Sequence, residues 1–250
     1  MRVTLENGKK IDLSKGLDIS IPLSNSENNP RAWYVNPPRF EPVMENGWVG
    51  EVAQGGAVNF RDIFFNPHGH GTHTECLGHI TQEIYSVNER IKEYFFYCKV
   101  ISVEAQEIQN GEDIDHVVNY ADVKSALGNT EVDAVVLRTL PNTEAKKHKN
   151  YSSTNPPYLD TAIVDLFDEL KVKHFLLDLP SVDRESDGGK LAFHHKFWNV
   201  PENPNHERTI TEMIFVDNNI EDGEYILNLQ VAPFENDASP SRPVLYKIED

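Results

Sequence analysis

The chemistry-bearing residues of this 250-residue chain crowd into one window, Asn66 to His79, which reads N-P-H-G-H-G-T-H-T-E-C-L-G-H. It holds four of the chain's ten histidines, His68, His70, His73 and His79, together with Glu75. Imidazole nitrogens and a carboxylate oxygen form a ligand set for zinc or another borderline divalent metal. If Gly71 breaks the chain and Thr72 to Cys76 run extended, His73 and Glu75 project to one face, because strand side chains alternate. Cys76 either joins the ligands or, as the same alternation favours, points away into the core. One strand cannot close a coordination shell, so partners must return from far along the chain. Two places qualify: His194-His195, ahead of Lys196-Phe197-Trp198, and Glu212, within Thr209 to Ile214. An imidazole and a carboxylate added to His73 and Glu75 suffice for one metal, or for two that share a carboxylate.

These residues need a scaffold, and composition bounds it. The length suits a single domain spanning residues 1–250 with a sizeable core. A formal net charge of -17 argues against nucleic acid or an anionic membrane as partner. No segment approaches the ~20 apolar residues of a membrane helix, and Met1 to Gly8 lacks the apolar stretch of a signal peptide. Two cysteines, Cys76 and Cys98, fit a reducing compartment. A soluble, cytoplasmic protein is expected.

Taken in order, Val3 to Leu5 and Lys9 to Leu13 flank Asn7-Gly8, the signal of a two-residue hairpin loop. Leu17 to Leu23 alternates as a strand, with Pro22 near its end. Ser24 to Pro42 is a long loop without periodicity, whose Trp33, Tyr34 and Phe40 either wall a substrate pocket or pin the loop to the core. Trp48 to Phe65 gives strand-like runs broken at Gly55-Gly56. Tyr94 to Val103 and Asp133 to Arg138 read as buried strands, and Asp122 to Leu127 as a short helix. Tyr158 to Leu170 carries apolar residues at helical spacing, and Lys173 to Leu177 is a third buried strand. Strand, helix, strand in that order predicts a parallel βαβ unit in a largely β chain. Asn199 to Arg208 is a polar insertion read as part of a lid.

Several of these segments together resemble the cyclase / kynurenine formamidase family. H-G-T-H-T-E-C-L-G-H is similar to that family's H-x-G-T-H-x-D-x-P-x-H. Asp18 to Leu23 resembles its opening strand and Leu137-Arg138-Thr139 its central one. Leu177 to Asp183 looks like its D-x-P-S-x-D turn, and Ala238 to Arg242 its S-P-x-R ending. The resemblance spans nearly the whole chain. It implies a mixed, β-rich α/β fold of the swivelling β/β/α kind, metal-dependent amide hydrolysis, and a homo-oligomer, dimer or tetramer. By position, His73 would bind the first metal and Glu75 would stand where an aspartate bridges two. His194, preferred over His195 for its offset to Phe197, and Glu212 would complete the second, and His79 would move protons. Three positions depart from the pattern. Gly69 stands where the first histidine belongs, so His68 or His70 must serve, and a glycine neighbour frees the backbone for His68. Glu75 replaces the aspartate, and Leu77 a proline.

The expected function is therefore metal-dependent hydrolysis of an amide, cyclic amide or related acyl substrate, in the manner of an arylformamidase. The expected cofactor is one or two divalent ions, zinc first and manganese as the alternative. The reaction would use metal-activated water and a small-molecule substrate, with proton transfer by His79, or by Glu212 if it is not a full ligand. The competing expectation is a metal-binding member of the family without turnover.

Overall fold

The computed structural model describes residues 1–249. Its centre is a run of apolar strands whose two faces are both covered, which is why their sequences lack polar alternation. Phe95–Glu104, Ala134–Leu140, His174–Leu177 and Thr209–Glu212 lie side by side and parallel. The predicted βαβ unit is present: the Ile163–Glu169 helix connects Ala134–Leu140 to His174–Leu177. Antiparallel strands extend the sheet on both sides. Gly223–Asn228, Val244–Glu249 and the N-terminal hairpin continue beyond Phe95–Glu104, while His73–Glu75 and Ala238–Pro240 continue beyond Thr209–Glu212. The chain is thus mixed α/β and β-rich, built on one large mixed sheet. No helix of the described residues is long and apolar enough to cross a membrane.

The helices are short and held by aromatic packing. Ala192–Trp198 places Phe193 and Phe197, one turn apart, on the buried face. They meet Phe175 and Phe167 with ring centroids 4.9–6.4 Å apart, the separation favoured by edge and offset contacts. His194 and Trp198 form the next stripe of the same helix, so the core that fixes the phenylalanines also fixes the histidine.

Four local expectations are corrected. The first hairpin spans Arg2–Thr4 and Lys10–Asp12, and Leu5 pairs with Lys9 around Glu6 to Gly8, a three-residue loop with Gly8 at positive φ. Only Leu17–Asp18 of the next predicted strand pairs, because the following N–H groups find partners outside a ladder: Ile19 with Pro243, Ile21 with the Thr72 hydroxyl. Tyr158–Leu159 is not helical: Pro156-Pro157 keeps the chain extended, and it pairs parallel to Asp113–Val118. The helix starts only after Asp160, whose carboxylate accepts the Ala162 N–H. Asn199 to Arg208 is no lid; it folds back under its helix, with the Trp198 indole donating to the Arg208 carbonyl.

Between the long loop and the histidine window, residues 39–64 form an arm of two small antiparallel ladders, Arg39–Pro42 with Arg61–Phe64 and Met44–Glu45 with Trp48–Val49. Phe40 belongs to this arm, paired with Ile63, and lines neither main cavity. The arm exposes Met44, Trp48, Val52, Val58, Phe60, Ile63 and Phe64.

Candidate metal centre

The site is assembled at one end of the large sheet. His73–Glu75 lies between Thr209–Glu212 and Ala238–Pro240, antiparallel to both, with His73 opposite Glu212 and Pro240, and Glu75 opposite Ile210 and Ala238. Because opposed residues share a face, His73, Glu75 and Glu212 point to one side, and all three are buried. Cys76 turns the other way into the core and donates to the Tyr85 carbonyl. His68 arrives from a tight turn over Pro67–Gly69, and His79 from another over Leu77–His79. Gly78 is needed there, since a Cβ would sit 2.5 Å from the Tyr85 carbonyl oxygen. His194 enters from the opposite side on its helix.

Glu75 is the common point. Its Oε1 lies 3.1 Å from His194 Nε2, and its Oε2 3.0 Å from His68 Nδ1 and 3.9 Å from His79 Nε2. His73 Nε2 lies 3.5 Å from Glu212 Oε2. Two groups of ligand atoms emerge, His68, Glu75 and His79 on one side and His73, Glu75 and Glu212 on the other, with Glu75 in both. All the residues expected at the site, His68, His73, Glu75, His79, His194 and Glu212, are brought together. His195 is not; its Nδ1 meets the Val200 carbonyl. The alternative first histidine, His70, lies outside the cluster. His70 accepts the Asn66 N–H at Nδ1 and donates from Nε2 to the Asn36 carbonyl, both at 2.7 Å, so neither nitrogen is free for a metal.

Two acidic residues serve the site without having been singled out. Asp183, in the turn noted for its spacing, accepts from His194 Nδ1 at 2.6 Å and from the Phe193 and His194 N–H groups. Asp237 approaches His68 Nε2 at 2.8 Å and His79 Nδ1 at 3.4 Å. Nothing in the pattern around Asn236 to Ala238 marks it; only the pairing of the next strand with His73–Glu75 brings it there.

Electrostatics reinforce the geometry. Burial works against protonating His68 and His194, yet neighbouring carboxylates outweigh it, Asp237 and Glu75 for His68, Asp183 and Glu75 for His194, and push both up to about 10. Glu75 stays well below the usual carboxylate range, since the histidines around it prevail over its burial. Glu212 is raised, by burial first and then by the charge of Glu75. Protons on imidazole thus occupy the role a cation would fill. They do not fill it fully: His73 Nε2, Glu75 Oε2 and Glu212 Oε1 are buried without a hydrogen-bond partner. The 3.0 Å approach of His68 to Glu75 lacks the alignment of a hydrogen bond. Orphaned buried polar atoms cost about 1–3 kcal/mol each, and the three residues that carry them also bring ligand atoms within 4.8 Å of one another, an arrangement that a divalent ion satisfies. The donor set fits such an ion.

A cavity of about 320 Å³ opens onto the centre, walled by Trp33, Val35 and Leu191 and reaching His68, His79, His194 and Glu212. Trp33 both walls it and packs beside the Ala32, Tyr151 and Met213 cluster, so the two expectations for that residue hold together. A larger cavity, about 440 Å³ around Ile21, Pro22 and Arg242, lies beyond Gly71 and touches His70 but none of the clustered ligands.

A β-rich mixed α/β fold with a buried His/Glu cluster of metal-binding type defines the class. A family profile described as "Putative cyclase" matches residues 11–184, well over half of the chain, and the chain belongs to that family. No curated protein matches it significantly. Among solved structures, a predicted metal-dependent hydrolase from Bacillus stearothermophilus superposes with a TM-score of 0.62 at 14% identity, covering 93% of this chain and 98% of that one. An isatin hydrolase bound to the product analogue thioisatinate gives 0.63 at 14%, covering 93% and 92%. Isatin hydrolase A from Ralstonia solanacearum gives 0.63 at 13%, covering 93% and 91%. At these identities the likeness concerns the fold.

Proposed function

We propose that this chain is a metal-dependent hydrolase of an amide, cyclic amide or related acyl substrate. The observation that carries the reading is the convergence of His73, Glu75 and Glu212, each with an unpartnered buried atom, beside His68 and His194. A cavity leads to the clustered ligand atoms, and a catalytic metal keeps a position open to such a cavity, whereas a purely structural one is closed off by protein. A divalent ion held there, zinc or manganese, would lower the pKa of a water from about 16 towards about 7 and polarise a carbonyl. The chain's own residues would do the rest. His79 is the most exposed imidazole of the cluster and faces the cavity, which suits it to pass a proton to the leaving nitrogen or oxygen. Trp33, Val35 and Leu191 would hold the apolar body of the substrate and shed its water.

Among the described residues the one Lys or Arg side chain lining the cavity is Arg184, and it is spent on Asp115, Asp113 and the Ser186 carbonyl. That favours an acyl group without a remote carboxylate. The shared fold with isatin hydrolases, named for a cyclic amide, makes such amides the first probes. The test is a screen of formyl anilides, cyclic imides and aryl lactones with the purified protein. Hydrolysis of at least one is expected, lost with chelator and restored by zinc or manganese; hydrolysis indifferent to chelation would refute the assignment.

The exposed arm supports a homo-oligomer, dimer or tetramer. Small two-stranded ladders with uncovered apolar side chains are marginal in water, so a second copy covering Met44, Phe60 and Ile63 is the arrangement we infer. Light scattering is expected to report a multiple of the 28.4 kDa chain, and a monomer mass at micromolar concentration would sink the idea.

A further inference from the structure

We propose that Asp237 is a positioning residue that makes His68 a metal ligand through Nδ1, compensating for the missing histidine at position 69. The inference rests on the reading of the cluster as a metal centre. At residue 69 an added Cβ would lie 2.8 Å from Val35 Cγ2 and 3.2 Å from Val35 Cγ1, so the pocket-wall loop occupies the space a side chain would need. The ligand therefore has to come from the neighbouring residue, approaching from a different direction.

The rings show how this is achieved. His73 ties Nδ1 to the Gly71 carbonyl, at 2.9 Å, and His194 ties Nδ1 to Asp183, at 2.6 Å; both present Nε2 to the centre. His68 is reversed: Nε2 is tied to Asp237 and Nδ1 faces Glu75. An outer acceptor on one ring nitrogen fixes the tautomer and leaves the other lone pair for the metal. For His68 that acceptor is a carboxylate supplied by a strand remote in sequence. Its position is set by the backbone, since the Asp237 carbonyl accepts the Cys76 N–H at 3.0 Å just as the pairing with His73–Glu75 begins. Among the described residues, the Asp237 carboxylate meets only His68 and His79, whose rings stack 4.3 Å apart. It has no other structural partner to serve.

The test uses Co²⁺ as probe with the full chain, reading affinity and the visible spectrum. Asp237→Asn is expected to bind Co²⁺ about 10–100-fold more weakly with an altered spectrum, as loss of an outer carboxylate does elsewhere. Asp237→Glu is expected to recover part of the affinity, and covers the case in which the amide variant does not fold. In the background of His68→Ala, adding Asp237→Asn should cost markedly less affinity than it does in the unaltered chain, because of the two rings that Asp237 meets only His79 is left. Wild-type affinity and spectrum in Asp237→Asn, or full additivity in the double variant, overturns the proposal. Absence of Co²⁺ binding by the unaltered protein would instead remove the metal centre itself.

Discussion

Glu75→Gln is expected to empty the metal centre, lowering divalent-metal affinity by well over about 100-fold and abolishing any metal-dependent hydrolysis. The magnitude follows from position: even an outer partner of a ligand is worth about 10–100-fold, and Glu75 belongs to both ligand groups. The substitution keeps the shape and removes the charge. It also removes the carboxylate that holds the His68 and His194 protons, so both rings shift towards neutral and some stability of the metal-free protein is lost. Circular dichroism must therefore show a folded variant before metal content is compared by elemental analysis. The matched control is His195→Ala. That residue lies on the same helix, but its ring meets the Val200 carbonyl, outside the cluster, and the variant should keep its metal. Full occupancy in Glu75→Gln would falsify the ligand assignment.

What could be read from the chain, and what could not, divides along physical lines. Phe95–Glu104, Ala134–Leu140 and His174–Leu177 are legible because strands buried on both faces must be apolar throughout. Tyr158–Leu159 misleads, because its apolar spacing suits a helix while the preceding prolines and the pairing with Val117 and Val118 hold it extended. At the site, His73 and Glu75 follow from strand alternation alone. His194 and Glu212 are only weak candidates without the family resemblance, since a histidine beside a second histidine and a glutamate among β-branched residues each have ordinary explanations. The choice of His68 over His70 is invisible in sequence, turning on the Asn36 carbonyl and the Asn66 N–H that occupy both nitrogens of His70. Asp237 is invisible for a related reason. Its role depends on which strand lies beside His73–Glu75, and that neighbour comes from near the other end of the chain.

Metal affinity is expected to fall about 100-fold for each pH unit of acidification across the neutral range. In the metal-free protein the His68 and His194 rings carry protons at pH 7, because their pKa values are pushed up to about 10. A metal takes the Nδ1 lone pair of the first and the Nε2 lone pair of the second, so both protons must leave. These two protons alone give a slope of about two decades per pH unit below pH ~10, and the raised Glu212 steepens it wherever its carboxyl is still protonated. Asp183 and Asp237 are held below their ordinary range by these same rings, after overcoming their own burial, and add nothing to the slope near neutrality. The stability of the metal-free protein must run the opposite way. Histidines with raised folded pKa values stabilise fully below the unfolded value of about 6.5, and that contribution is lost as pH rises towards about 10. Melting temperature should therefore fall from pH 6.5 to 9 in chelator, while the increment added by saturating zinc grows over the same range. Calorimetry in buffers of different ionisation enthalpy counts the protons directly. A count near zero, or parallel pH trends with and without metal, would mean that the imidazoles are not protonated in the empty site and that the carboxylates around them do not act as argued.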